Sequence, residues 1–134
     1  MTIAPSNTRV PGCALTAVVL LAALAGCGGG GGKKTVTPTG AGAATTIKET
    51  EYALAPGTVQ VSKAGTVTLI ADNAGKMEHA LEIEGNGTDR KTATISPGKT
   101  AKLTVQLKPG HYDLYCPIDG HKQLGMDATV KVGG

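Results

Sequence analysis

One short stretch near the C-terminus carries three side chains that can bind a metal. It runs from Tyr115 to Met126 as Tyr-Cys-Pro-Ile-Asp-Gly-His-Lys-Gln-Leu-Gly-Met, which spaces a thiol (Cys116), an imidazole (His121) and a thioether (Met126) as Cys-x4-His-x4-Met. Thiolate and thioether sulfur favour soft Cu(I), and imidazole binds copper in either oxidation state. Two His and one Cys in a trigonal set with a long, weak axial Met form a blue-copper electron-transfer site. The stretch offers one His, so this hypothesis requires a second from elsewhere.

His79 is the candidate for the missing ligand. In the stretch 78–84 it shares one face with Leu81 and Ile83, while three glutamates share the other, so it points toward the core. A lone His on an apolar face is more often a satisfied core residue than a ligand. Cys116 also faces the core on its own strand, and a copper site built on Cys116, His121 and Met126 lacks one nitrogen ligand. This missing ligand favours His79 as a metal ligand.

The other His and the second candidate Met fit the site less well. Five strand residues separate His111 from Cys116, about 16 Å in a regular strand, so we expect His111 at the surface. Met77 precedes His79 by two residues in a loop, where we expect it to pack or to line a rim rather than to replace Met126.

From Ile47 onward the chain alternates apolar and polar residues and shows no helical period. The clearest case is 100–107, where Ala, Leu, Val and Leu alternate with Thr, Lys, Thr and Gln. Period-2 patterns of this kind mark half-buried antiparallel strands. We predict strands at 47–54, 58–62, 66–71, 78–84, 91–95, 100–107, 111–116 and 127–132. Short strands separated by Pro-Gly and Gly-rich turns predict an all-β fold, a Greek-key β-sandwich or barrel of about eight strands.

The first residues predict an export signal. The run from Ala14 to Leu24 is apolar but too short to span a bilayer, which takes about 20 residues. A short apolar run after a basic start is typical of a signal peptide. It ends in Leu-Ala-Gly-Cys, which resembles the bacterial lipobox, so Cys27 would be lipidated as the first mature residue. A plain signal peptide cut after a small residue is the alternative.

Composition divides the rest of the chain and limits its function. We predict a signal peptide at 1–26, a flexible Gly/Thr/Ala-rich tether at 27–46 and a folded domain at 47–134. The formal charge of +3 is too small and too scattered for a nucleic-acid surface. Cys116 is the only thiol in the predicted domain, which disfavours a structural disulfide and favours metal binding.

Two segments, 71–81 and 109–126, resemble the cupredoxin family, which includes plastocyanin, azurin and auracyanin. The resemblance implies one copper ion with His79, Cys116 and His121 as strong in-plane ligands and Met126 as the weak axial one. Two positions depart from the family pattern. Many members have Asn after the first His, where this chain has Ala80, and Leu114 stands where a Phe is usual.

The resemblance also implies a role, that of a one-electron carrier that cycles Cu(I) and Cu(II) and acts as a monomer. The predicted export signal and lipid anchor would place it outside the cytoplasmic membrane, tethered there or in the periplasm. From that location we expect its partners to be redox proteins of respiratory or photosynthetic complexes. We expect those partners to dock on Pro117, Ile118 and Leu124, with His121 as the exit for the electron.

The sequence is less consistent with three other functions. An enzyme is disfavoured because type 2 or trinuclear copper sites need many more His and only His111 is left over. Copper storage or delivery outside the cytoplasm could use the same four ligands and is the main alternative. A metal-free interaction module would leave the Cys, His and Met spacing unexplained.

Overall fold

The computed structural model of the chain describes residues 34–37, 42 and 44–134. The predicted signal peptide and the predicted lipidation site, Cys27, lie outside these residues. Within them, no helix has the length and apolarity that a membrane span requires.

The described residues form ten strands in two sheets. The strands are β1 Thr35–Val36, β2 Ala44–Thr50, β3 Ala53–Ala55, β4 Thr58–Val61, β5 Gly65–Asn73, β6 Glu82–Gly85, β7 Thr88–Lys91, β8 Thr100–Leu107, β9 Gly110–Tyr115 and β10 Asp127–Val132. One sheet has the order β1-β4-β10-β9-β6-β7 and the other β3-β2-β5-β8. Both sheets contain parallel and antiparallel pairs.

The predicted all-β class is confirmed, and the alternation in the sequence explains the core. On β8, Leu103, Val105 and Leu107 are buried while the polar residues between them are exposed. The inward faces of the two sheets meet in one apolar cluster, to which Leu69 and Leu114 contribute from opposite sheets. This pairing of alternating faces is how two antiparallel-rich sheets form a sandwich.

Several predicted strand boundaries were wrong. The strand predicted at 47–54 is two strands, β2 and β3, separated by a turn at Glu51 and Tyr52. The strand predicted at 78–84 begins at Glu82, and His79 instead forms an isolated bridge with Ile95.

The strand predicted at 91–95 is misplaced, because β7 ends at Lys91 and does not begin there. The reason is the turn before it, where Asn86 (φ 48°) and Gly87 (φ 78°) both have positive φ. Two such residues make a tight hairpin loop, and an Asn-Gly pair favours it. Pairing of β7 with β6 therefore starts directly after Gly87, with Gly85 opposite Thr88.

Two strands involve the segment predicted as a tether. β1 pairs in parallel with β4, Thr35 opposite Thr58, and β2 begins at Ala44 rather than at Ile47. Thr45 on β2 is buried.

The sheet register explains how distant residues reach one place. β6 lies antiparallel to β9 with Glu82 opposite Tyr115, so the chain before Glu82 runs toward the chain after Tyr115. β10 is antiparallel to β9 on its other side, with Asp127 opposite the same Tyr115. The residues that adjoin Glu82, Tyr115 and Asp127 therefore meet at one end of the sandwich. They are His79 to Leu81, Cys116 and Met126.

Candidate metal centre

Three buried donor side chains meet at this end of the sandwich. The donor atoms of His79, Cys116 and His121 all lie within 4.8 Å of one another. Cys116 Sγ lies 3.5 Å from His121 Nδ1 and 4.0 Å from His79 Nδ1. His79 and Cys116 are fully buried, and His121 is 3 % exposed. Each ring therefore turns its Nδ1 toward the same sulfur atom.

The stretch from Cys116 to Met126 is closed by its own backbone. Cys116 N donates to Met126 O at 3.1 Å, and Met126 N donates to His121 O at 3.1 Å. His121 N in turn donates to Ile118 O at 2.8 Å. Met126 is itself fully buried, so the loop carries the thioether into the same end of the core. We call this segment, 116–126, the ligand loop.

Two residues of positive φ give the ligand loop its tight turn. Asp119 (φ 37°) and Gly120 (φ 77°) stand between Cys116 and His121. Asp tolerates this left-handed region better than most residues, and Gly adopts it freely. The reversal brings His121 back over Cys116.

His79 is held differently, by partners far along the chain. Its backbone N donates to Ile95 O at 3.1 Å, and Ile95 N donates to His79 O at 2.7 Å. The buried amide of Asn73 donates to Met77 O at 2.8 Å and to Ile95 O at 2.7 Å, and its Oδ1 accepts from Gly75 N at 3.0 Å. Asn73 thus shapes the segment 73–79, which we call the histidine segment.

The surroundings favour neutral imidazole and a protonated thiol when no cation is present. Burial lowers the pKa of His79, and the neighbouring His121 lowers it further. Burial raises the pKa of the Cys116 thiol, while the backbone N–H groups of Ala80 and Ile118 act in the opposite direction. Neutral imidazole offers the lone pair that a metal needs, and those N–H groups stabilise the thiolate once a cation binds.

This donor set fits a single copper ion. One thiolate and two imidazoles in a buried cluster, with a buried thioether on the same loop, are the soft and intermediate ligands that copper accepts in both oxidation states. Hard cations such as Mg²⁺ and Ca²⁺ prefer oxygen ligands, which the cluster does not supply.

The structure brings together three of the predicted ligands and places Met126 in the same closed loop. His111 is exposed on β9, as expected, and Met77 is largely exposed. Of the residues predicted to dock partners, Pro117 is exposed, Ile118 packs partly against the core, and Leu124 is 59 % exposed.

Sequence reasoning missed three residues that surround the centre. Asn73 lies within the segment 71–81, but nothing in its residue type predicted a role for it, and Glu51 and Tyr52 carried no signal. The ring of Tyr52 lies 5.1 Å from the ring of His121 at an interplanar angle of 67°. Its hydroxyl points to Met77 Sδ at 3.8 Å. Tyr52 therefore lies between the ligand loop and the histidine segment.

Comparison with known proteins agrees with this geometry. The family model of the cupredoxin-like domain matches residues 14–126. The fold is similar to reduced auracyanin from the photosynthetic bacterium Roseiflexus castenholzii, with 19 % identity over 71 % of this chain and 100 % of that one and a TM-score of 0.63. Reduced rusticyanin is 22 % identical over 73 % of this chain and 83 % of that one, with a TM-score of 0.58.

A multicopper oxidase also shares the fold. It is 15 % identical over 67 % of this chain but only 41 % of the oxidase, with a TM-score of 0.55. No curated protein sequence matches the chain significantly. At such identities these structural likenesses establish the fold alone, and the chemistry depends on the residues of the centre itself.

Proposed function

The chain belongs to the cupredoxin-like family, and from that premise we propose that it is a one-electron carrier with a mononuclear type 1 copper centre. The observation that carries the proposal is the buried cluster of His79, Cys116 and His121. These three residues would hold the ion, together with the thioether of Met126. Copper supplies the one-electron couple between Cu(I) and Cu(II) when bound.

The protein's contribution is to hold its donors still. Electron transfer is fast when the ligands move little between the two oxidation states. The backbone bonds within the ligand loop and the bridge between His79 and Ile95 restrain the donors from two sides. The packed core around Cys116 and Met126 limits access of water, and this dry surrounding, together with the thioether of Met126, would set the reduction potential of a bound copper ion.

Burial favours a carrier over a storage or delivery protein. A delivery site has to hand its metal to a partner, which requires donors that the partner can reach. Here Cys116 and His79 are fully buried and His121 almost so. Delivery with the same four residues remains the second candidate, and the release of the metal distinguishes the two.

An oxidase activity is not proposed for this chain. The chain corresponds to less than half of the multicopper oxidase that shares its fold. Its sequence has three His, of which only the exposed His111 lies outside the cluster. A second copper site of the oxidase type needs several further His.

We place the docking surface for redox partners on Pro117, Ile118 and Leu124, around the edge of His121. Leu124 is one of the few large apolar side chains exposed among the described residues. Apolar, uncharged surface beside the least buried ligand allows a partner to approach the centre closely. A charge at Leu124 should therefore change transfer rates and leave the centre intact.

The tether belongs to the same proposal. A lipid on Cys27 would keep the carrier beside membrane-bound redox complexes outside the cytoplasm. Replacing Cys27 with Ser in cells should move the protein from the membrane fraction to the soluble fraction. Equal membrane binding of both proteins would contradict lipid anchoring and leave the copper chemistry untouched.

The visible spectrum tests the carrier function. The chain without residues 1–26 is given one equivalent of Cu(II), with Cys116→Ser as the matched variant. We expect an intense thiolate-to-copper band that ascorbate bleaches and an oxidant restores, and that the variant lacks. A chain that stays colourless and binds only Cu(I) would favour delivery.

A further inference from the structure

A carboxylate stands behind the ring of His79. Since His79 Nδ1 faces Cys116 Sγ, Nε2 points to the opposite side, where it lies 3.7 Å from Glu51 Oε1. His79 Nε2 is fully buried and makes no hydrogen bond. It is one of few buried side-chain polar atoms without a hydrogen bond in the described part of the chain, and the Glu51 carboxylate lies within ion-pair distance of it.

The position of this carboxylate is fixed by the histidine segment. Lys76 N and Met77 N both donate to Glu51 Oε1, the second at 2.8 Å. Glu51 lies in the turn between β2 and β3, and its partners are 25 and 26 residues later in the chain. Its side chain is 30 % exposed, so solvent still reaches part of the side chain.

Gly75 allows the carboxylate and the imidazole to approach. A Cβ on Gly75 would lie 2.5 Å from Glu51 Oε1 and 3.0 Å from His79 Nε2. Real Cβ atoms essentially never come as close as 2.5 Å, so any side chain here would push the Glu51 carboxylate away, and it would also crowd the His79 ring. The lack of a side chain at Gly75 therefore leaves room for Glu51 Oε1 to approach His79 Nε2.

We propose that Glu51 is a positioning residue for His79 that also lowers the reduction potential of the bound copper. Its carboxylate attracts the proton of the imidazole to Nε2 and leaves Nδ1 free as the ligand atom. A carboxylate behind a ligating His fixes the tautomer and raises the basicity of the ring. Its negative charge stabilises the more positive, oxidised ion over the reduced one. The inference rests on the proposed function.

A purely structural role for Glu51 would be to tie the backbone of Lys76 and Met77. That role predicts lower stability without Glu51 and no change in the redox equilibrium. The test therefore measures the potential in a variant that keeps both backbone bonds.

The variant is Glu51→Gln in the copper-loaded chain. The side-chain oxygen of Gln can accept the same two N–H groups, so only the charge is lost. We expect the one-electron equilibrium to shift toward the reduced form by about tenfold, which is 59 mV for a one-electron couple. Gly75→Ala keeps the charge but displaces the carboxylate, and should shift the equilibrium in the same direction by a smaller factor.

Glu78→Gln is the matched control. Glu78 adjoins His79 in sequence and is exposed, whereas the ion pair with the ring is made by Glu51. The control removes the same charge from the same segment, so we expect a shift of less than about twofold. Equal shifts in Glu51→Gln and Glu78→Gln would overturn the inference, because they would report net charge alone.

The metal-free chain gives a second, independent reading. Nitrogen NMR of the imidazole should show the proton of His79 on Nε2, and a majority on Nδ1 would overturn the positioning role. If the unmodified chain shows the copper band but Glu51→Gln leaves its potential unchanged, the inference fails and the carrier function stands. If the band is absent from the unmodified chain, the carrier function fails, and the NMR result still decides the role of Glu51.

Discussion

The two segments that supply the ligands are built in opposite ways. The ligand loop, 116–126, is closed by hydrogen bonds between its own residues and contains three of the four proposed ligands. The histidine segment, 73–79, contains one, and its shape depends on Asn73, Ile95 and Glu51. A local loop can be recognised from residue spacing, whereas a segment held by distant partners cannot. We therefore expect the histidine segment to be the more sensitive to substitution outside the ligands.

The two segments also differ in the charges beside them. Glu49 and Glu51, both near the end of β2, flank the histidine segment. Glu49 is fully buried with no hydrogen-bond partner for its carboxylate, and burial, followed by repulsion from Asp72, raises its pKa to about 7. Backbone hydrogen bonds from Lys76 and Met77 lower the pKa of Glu51 to about 2.

The largest expected effect is the loss of Asn73. Asn73→Ala removes three hydrogen bonds, two of them to backbone carbonyls of the histidine segment and its neighbour Ile95. We expect the free energy of unfolding to fall by about 3–4 kcal/mol, from three bonds of about 1 kcal/mol each and one buried group left unpaired. Chemical denaturation of the metal-free chain measures it.

The matched control for Asn73 lies in the other segment. Gln123 is exposed in the ligand loop, so Gln123→Ala should change the free energy of unfolding by less than about 0.5 kcal/mol. If the two variants lost similar stability, the contrast between the segments would be wrong.

A smaller effect is expected from pH. Because folding raises the pKa of Glu49 from 4.5 to about 7, its contribution to stability is complete below pH 4.5 and is lost as pH rises to about 7. The expected loss is about 2–3 kcal/mol. The lowered pKa of His79 acts with the opposite sign in an overlapping range. The measurement is therefore a difference between the metal-free chain and Glu49→Gln, by denaturation from pH 4 to 8.

Glu51 should affect stability in a different pH range. Its folded pKa is depressed to about 2, so its contribution is present above pH 4.5 and is lost as pH falls toward 2. If the free energy of unfolding changed with pH in the same way in the unmodified chain and in Glu49→Gln, the pKa of Glu49 would be ordinary. The contrast between the two carboxylates would then be wrong.

The smallest expected effect concerns the surface of the ligand loop. Leu124→Lys should slow electron self-exchange between oxidised and reduced copies by about tenfold, or about 1.4 kcal/mol of activation free energy. The reason is that the two copies would bring like charges together at the surface beside His121. Val36→Lys adds the same charge at an exposed apolar residue on β1 and should have little effect. NMR line broadening measures both rates. An equal decrease in the two variants would contradict the docking surface.

The fold class and the cluster of metal ligands could be predicted from different features of the sequence. Alternation on β8 is regular enough to reveal half-buried strands, and the spacing of Cys116, His121 and Met126 reflects a local loop. The prediction of His79 as a ligand rests on its inward-facing position in a regular strand at 78–84. That strand does not form there, yet the bridge to Ile95 turns His79 inward all the same.

The supports of the histidine segment could not be predicted, because each depends on long-range contacts. Asn73 reaches Ile95 across 22 residues, and Glu51 reaches Met77 across 26. In the sequence Glu51 is an ordinary charged residue two positions after the similar Glu49, and only the tertiary structure distinguishes their environments. The β2 and β3 boundary was missed for the same reason, since Glu51 lies in the turn between them.

The most direct test of the carrier function is retention of copper through redox cycles. The copper-loaded chain is reduced with ascorbate and reoxidised several times in the presence of a mild Cu(I) chelator, and the thiolate-to-copper band is recorded after each cycle. Because Cys116 and His79 are fully buried, we predict that the band returns to full intensity each time. Transfer of the copper to the chelator within the first reduction would contradict a carrier and support delivery.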